Sequence, residues 1–312
     1  MLVTSTGIVD SQGLVDSLSR EIEEEEYIGD KGVGVGIGQG THGRVKERGE
    51  GVIVPGTRVV RIDREEKGKG WVVQLETGWE GKEEGEKGEV EAVRADVVVN
   101  TAGLAAASLL EGIVPESEQV KMYPLKGEQN VVTAKKGEME QSLIIGNYVS
   151  YKGPGVSNVS RLIYPCPSRD LGSLGTHLTF DLSGNIRFGP DAEPIGSPAA
   201  YSQNPDFWQD HLAPSAARIQ SIGDAVLTYL PGIDPSLLEP DYSGIRPNIS
   251  DKGFFDFMVR HGRDRQGLIE CLGFASPGLT SSLAVGEMVA KMVRKDIWKE
   301  KASVEHLAEG WE

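Results

Sequence analysis

The chain has 312 residues, long enough to bury a sizeable core as one large domain or two smaller ones. Its 32 basic and 47 acidic residues leave a net charge of −15. That balance excludes nucleic acid or an anionic membrane as the main partner, because phosphate binding needs a positive field. No apolar run approaches the roughly twenty residues of a membrane span, and Met1–Gly7 holds no basic, apolar targeting segment.

In chain order, residues 8–28 read as a helix, with Asp10 or Ser11 as cap and an apolar stripe of Leu14, Val15, Leu18 and Ile22. Residues 29–50 alternate glycine with small apolar residues. Glycine at every second position is not dinucleotide spacing, so the stretch reads as a flexible insertion. Strands are expected at Val52–Val54, Arg58–Asp63 and Trp71–Glu76. Acid is concentrated in Glu21–Glu26 and Glu76–Glu91, which read as solvated, with a hairpin tip at 78–89. Val90–Ala95 leads into Ala95–Asn100, a buried-type strand that breaks at Thr101-Ala102-Gly103 before a short helix, Leu104–Leu110. A continuous apolar strand ending in such a turn suggests the parallel sheet of a nucleotide-binding layer.

Between Tyr123 and Ile195 the pattern becomes that of a mixed or antiparallel sheet, clearest at Leu162–Pro167, Gly175–Asp181 and Asn185–Pro190. Asp181-Leu182-Ser183-Gly184-Asn185 reads as a hairpin turn. Residues 205–230 are expected to be helical and to stop at Pro231-Gly232. Leu268–Gly273 reads as a buried strand, and Ser281–Ile297 as a helix buried along Val285, Val289, Met292 and Val293. The tail from residue 299 is polar. Cys166 and Cys271 lack metal-ligand spacing and are expected to be buried thiols in a reducing compartment.

Several of these segments, in order and spacing, carry a resemblance. They are Ser5–Asp10, Gly56–Ile62, Val97–Leu104, Gly175–Thr179, Arg187–Asp191, Tyr242-Ser243-Gly244-Ile245-Arg246-Pro247 and Gly273–Thr280. The chain resembles the D-amino-acid-oxidase-type flavoenzymes, and within them the L-2-hydroxyglutarate dehydrogenase branch.

The resemblance implies an α/β (mixed α+β) fold: a partial FAD-binding, Rossmann-like domain interleaved with a mixed-sheet substrate domain. The implied division is 1–110 and 241–298 for the FAD-binding part, 111–240 for the substrate part and 299–312 for the tail. FAD is the implied cofactor. Val59 would lie at its adenine end through backbone contacts, and Thr101, Ala102 and Gly103 would line it. Ser276, Gly278, Leu279 and Thr280 would present N–H groups to the flavin ring, as a helix N-terminus favours negative charge; an ordinary helix cap is the alternative.

The implied reaction is hydride transfer from C2 of an L-2-hydroxy acid to the flavin, with the electrons passing to an acceptor the residues do not identify. Arg246 would clamp the substrate carboxylate through two parallel hydrogen bonds, or else serve in a structural salt bridge. His177 is the candidate base for the hydroxyl proton, or a hydrogen-bonded core histidine. Tyr164 is a candidate for orienting the hydroxyl and Lys126 for the distal carboxylate, against core and surface roles respectively.

Two departures from the family pattern stand out. The strand, Gly-x-Gly-x-x-Gly and helix that cradle the cofactor's pyrophosphate have no counterpart in the sequence, so the chain is expected to begin after that unit. Between Lys126-Gly127 and Asn147-Tyr148, Glu128–Gly146 is expected either to loop out as an insertion or to be a gene-model artefact such as a retained intron. An amino-acid oxidase and a non-catalytic binding module that kept the substrate sheet are the alternative readings. Eukaryotic relatives imply a mitochondrial location; otherwise the chain would be cytoplasmic.

Overall fold

A computed structural model of the chain describes residues 6–23, 51–65, 70–78, 88–120, 143–166, 175–191, 193–196, 211–247, 249, 256–261 and 266–298. The insertion expected at 29–50, the interior of the 78–89 tip, the tail from 299 and Lys126 lie outside these residues.

Helix α1 (Ser11–Glu23) starts where its cap demands. Gly13 N–H donates to Asp10 Oδ1 at 2.9 Å, satisfying a first-turn donor. Its apolar stripe forms at the expected spacing, yet no residue of the helix is buried. Val52–Val54 is not a strand: the segment pairs with no sheet and exposes Val52 and Val54.

The alternation in β1 (Thr57–Arg64) and β2 (Trp71–Thr77) produces an antiparallel meander, completed by β3 (Glu89–Ala95). Glu76 departs from the solvated-acid expectation. It is 5% exposed, pairs with Arg58 at 2.7 Å across the β1–β2 register, and accepts the Gly88 N–H.

The expected strand Ala95–Asn100 is divided. The chain leaves the meander at Ala95 and enters a second sheet as β4 (Val98–Asn100), parallel to β11 (Leu268–Leu272). All five residues of β11 are buried, as its apolar run predicts. Glu270 is the polar member, held by Arg260 of β10 (Met258–Arg260), its cross-strand partner. Trp71, Ile62 and Val73 of the meander share a core with Leu110, Val114, Leu268 and Leu272. The Trp71 indole N–H is satisfied by the Gln266 carbonyl at 3.1 Å.

In place of a helix over Leu104–Leu110 there are two single 3-10 turns, Gly103–Ala105 and Ser108–Leu110. The reason is Asn100. Its buried side chain accepts from Ala102 N at 3.2 Å and donates to Ala106 O at 2.7 Å, the carbonyl that a continuous helix would give to the Leu110 N–H.

The third sheet has five strands. Strand β5 (Leu143–Tyr151) is central, with β7 (Ile186–Gly189) and β8 (Glu193–Gly196) along one edge and β9 (Leu238–Ile245) along the other. Strand β6 (His177–Phe180) extends it beyond β7 through the Asp181–Asn185 turn. There the Asp181 carboxylate accepts the Ser183 and Asn185 N–H groups, and Gly184 takes φ 82°.

Two expectations change here. Leu143–Gly146 belong to β5 and are continuous with Asn147-Tyr148, so the end of the supposed insertion is core strand. Among the described residues of the expected strand Leu162–Pro167 there is only an isolated bridge, Ile163 to Leu178, since Pro165 has no N–H to extend a ladder.

Helix α2 (Ile219–Leu227) begins later than expected and packs Ile222 and Val226 on Val149, Leu178, Phe188 and Leu238, forming a second core. Cys271 is buried but Cys166 is exposed. Helix α3 (Gly278–Met292) follows β11, and its predicted stripe is half-buried rather than buried. Ile249, four residues beyond the end of β9, already packs against the Trp71 core. The chain therefore passes from one core to the other between Ile245 and Ile249.

Candidate functional site

The pleat of the five-stranded sheet sorts its residues by face. Val149, Leu178, Phe188 and Leu238 point into the α2-covered core. Their neighbours point the other way, and the ring contacts show which of them meet. Tyr148 of β5 and Tyr242 of β9 stack with centroids 4.4 Å apart and planes 9° apart. His177 of β6 stands edge-on to Tyr148 at 6.0 Å and stacks on Tyr164 at 4.6 Å. Arg187, ion-paired with Asp241, lies 5.4 Å over the Tyr242 ring.

This packing requires glycine at one point. Gly189, the register partner of His177, has φ 150°, and a Cβ there would sit 2.6 Å from the Tyr148 ring. Beneath Tyr148, Asn147 (2% exposed) ties the strands together. Its side-chain amide donates to Asp191 at 3.0 Å and Glu193 at 2.9 Å, and Arg218 holds Asp191 at 2.6 Å.

Arg246 stands just past β9, half-buried, in the crossing between the cores. It makes no hydrogen bond or ion pair among the described residues, so no structural salt bridge occupies it there. Its charge acts on both Tyr148 and His177. Burial pushes the His177 imidazole below its usual titration range, and Arg246 adds to that; the Gly175 carbonyl, 3.4 Å from Nδ1, opposes it. Burial likewise raises the Tyr148 phenol, with the stacked Tyr242 acting in the same direction and Arg246 against it.

Three of the four predicted site residues, His177, Tyr164 and Arg246, are thus brought to one face. His177 is 7% exposed, with a ring contact on each side, and Tyr164 is 47% exposed and is no core tyrosine. Lys126 lies outside the described residues. Tyr148 and Tyr242 had no predicted role. The signal for Tyr242 was present in Tyr242-Ser243-Gly244-Ile245-Arg246, where strand alternation puts residues 242, 244 and 246 on one side.

The predicted cofactor-lining residues occupy two neighbouring turns. Asn100 and Glu270 are register partners in the parallel pair β4–β11. Thr101-Ala102-Gly103 and the segment from Gly273 to α3 therefore leave the same end of that sheet, where open α/β sheets bind ligands. Helix α3 has no side-chain cap, and the N–H groups of Leu279 and Thr280 have no acceptor among the described residues. The uncapped N–H groups at the start of α3 are suited to a negatively charged group such as a flavin ring edge. Val59 packs its side chain on the Trp71 core beside a register shift in β1 between Val59 and Arg61.

Comparison with known proteins agrees with this architecture. A family model described as DAO, FAD dependent oxidoreductase, matches residues 38–292. The mitochondrial L-2-hydroxyglutarate dehydrogenase of Arabidopsis thaliana is 32% identical over 208 residues, covering 62% of this chain and 37% of that protein. An L-2-hydroxyglutarate dehydrogenase of Indibacter alkaliphilus is 24% identical over 225 residues, covering 64% and 51%. Among solved structures, the L-alpha-glycerophosphate oxidase of Mycoplasma pneumoniae with FAD bound superposes with TM-score 0.50 at 16% identity, over 76% of this chain and 50% of that one. The chain spans about half or less of the length of these relatives.

Proposed function

Because the chain belongs to the DAO family of FAD-dependent oxidoreductases, we propose that it serves oxidation of an L-2-hydroxy acid, with L-2-hydroxyglutarate, converted to 2-oxoglutarate, as the substrate. The observation that carries this reading is Arg246: a half-buried guanidinium without a carboxylate partner among the described residues, on the same face as a buried, neutral histidine. A two-pronged donor left unpaired matches a carboxylate ligand.

In this reading Arg246 holds the substrate's C1 carboxylate and so orients C2. His177 accepts the C2 hydroxyl proton at a ring nitrogen, and its depressed basicity keeps that nitrogen free at neutral pH. Tyr164, stacked on the imidazole, and Tyr148, edge-on to it, fix the ring's plane. Lys126 is the proposed partner of the distal carboxylate. Bound FAD would supply the hydride acceptor. Ser276, Gly278, Leu279 and Thr280 would hold its ring, Thr101, Ala102 and Gly103 would line it, and Val59 would serve its adenine end through the backbone.

The proposed division is an FAD-binding part, residues 1–110 and 241–298, and a substrate part, 111–240; Val114 still packs in the Trp71 core and β9 runs on to Ile245 in the five-stranded sheet, so the two cores change over a few residues beyond each of these bounds. The plant relative's mitochondrial name supports a mitochondrial setting.

The test is ligand binding. Added FAD should give a bound flavin spectrum, and 2-oxoglutarate should perturb it. Arg246→Lys keeps the charge but loses the fork; it should weaken 2-oxoglutarate by about 1.5–3 kcal/mol with the melting temperature unchanged. Equal affinity in the variant would remove Arg246 from the site.

A further inference from the structure

Gly244 lies between Tyr242 and Arg246 on the site face, directly opposite Gly146 in the β5–β9 register. The glycines of this face are not alike. At Gly146 a Cβ would meet the Pro190 side chain at 2.8 Å, and at Gly189 it would meet the Tyr148 ring at 2.6 Å. Packing accounts for both.

At Gly244 a Cβ would meet nothing within 4 Å, the residue is exposed, and its φ is not in the left-handed region. Neither backbone nor neighbours among the described residues require glycine there, and glycine inside a strand weakens it relative to a residue with a side chain. Its neighbours on this face are Tyr242 two residues before it, stacked on Tyr148, Arg246 two residues after it, and Gly146 across the register, which Pro190 covers.

We propose that Gly244 is the floor of the acid-binding site. Its missing side chain leaves room for the α-carbon of a 2-hydroxy or 2-oxo acid whose carboxylate rests on Arg246. This deepens the reading above and rests on it: Gly244 sets how bulky an acid the site admits.

Gly244→Ala and Gly244→Val are the tests, read by titrating 2-oxoglutarate and the smaller oxalate into FAD-treated protein, alongside thermal unfolding. Both variants should melt at or above the parent's temperature, because the added carbons meet open space. Affinity for 2-oxoglutarate should fall roughly tenfold in the alanine variant and further in the valine variant, with oxalate losing less. Unchanged 2-oxoglutarate affinity in the valine variant, with Arg246→Lys still weakened, overturns the role of Gly244 alone. A parent chain that binds neither acid overturns this inference and the acid-binding reading together. Should the valine variant melt early, the alanine variant decides between these outcomes.

Discussion

His177 shows how one side chain's surroundings set its chemistry. Burial is the largest influence and disfavours the imidazolium; Arg246 acts in the same direction, and the Gly175 carbonyl acts against both. In the unfolded chain the group titrates near 6.5, so between that value and its lower folded value the unfolded state binds more protons. The stability linked to His177 is therefore complete above about pH 6.5 and is lost as pH falls toward the folded value. His177→Gln should flatten the acid side of the stability profile, measured by urea unfolding across the mildly acidic to neutral range. An unaltered profile would mean that the imidazole is solvated. Tyr148 is the residue the sequence concealed: nothing local marks it as different from Tyr151, three positions on in the same strand, which faces the α2 core.

Elements followed their local signals where those signals were complete. The Asp10 cap, the Asp181–Asn185 turn and the apolar run of β11 all appear at the positions their residues dictate. Val52–Val54 and Leu104–Leu110 did not, because a strand needs a partner and because the Asn100 side chain competes for the backbone of the second. Asn147 works at this scale too. It joins β5, the Asp191 segment, β8 and, through Ser215 N–H at 3.4 Å, the approach to α2. Asn147→Ala would leave the Asp191 and Glu193 carboxylates short of donors in a buried setting. The expected cost is about 2–3 kcal/mol, seen as a lowered urea midpoint. A loss well under about 1 kcal/mol would mean that water replaces the amide.

Across the whole molecule, two cores are joined by a crossing that carries Arg246. One is built from the meander and the parallel strand pair, the other from the five-stranded sheet and α2. The periphery is less well covered. Helix α3 buries no residue, and it exposes Leu279 at 46% and Leu283 at 53%, one helical turn apart. Such a face favours association. The isolated chain should scatter light increasingly with concentration, and Leu283→Glu should suppress this without altering 2-oxoglutarate affinity. A monodisperse parent would show that the face is covered in solution.

The sequence by itself determined the family, the turn and cap positions, the buried parallel strand, and His177, Tyr164 and Arg246 as candidates. Those are properties of neighbouring residues and of ordered motifs, which act through local backbone geometry. The tertiary structure alone decided that Tyr148 meets Tyr242, that Gly244 faces open space, and that Arg246 stands between two cores. These depend on register between strands about a hundred residues apart, where a shift of one position would exchange the site face for the core face.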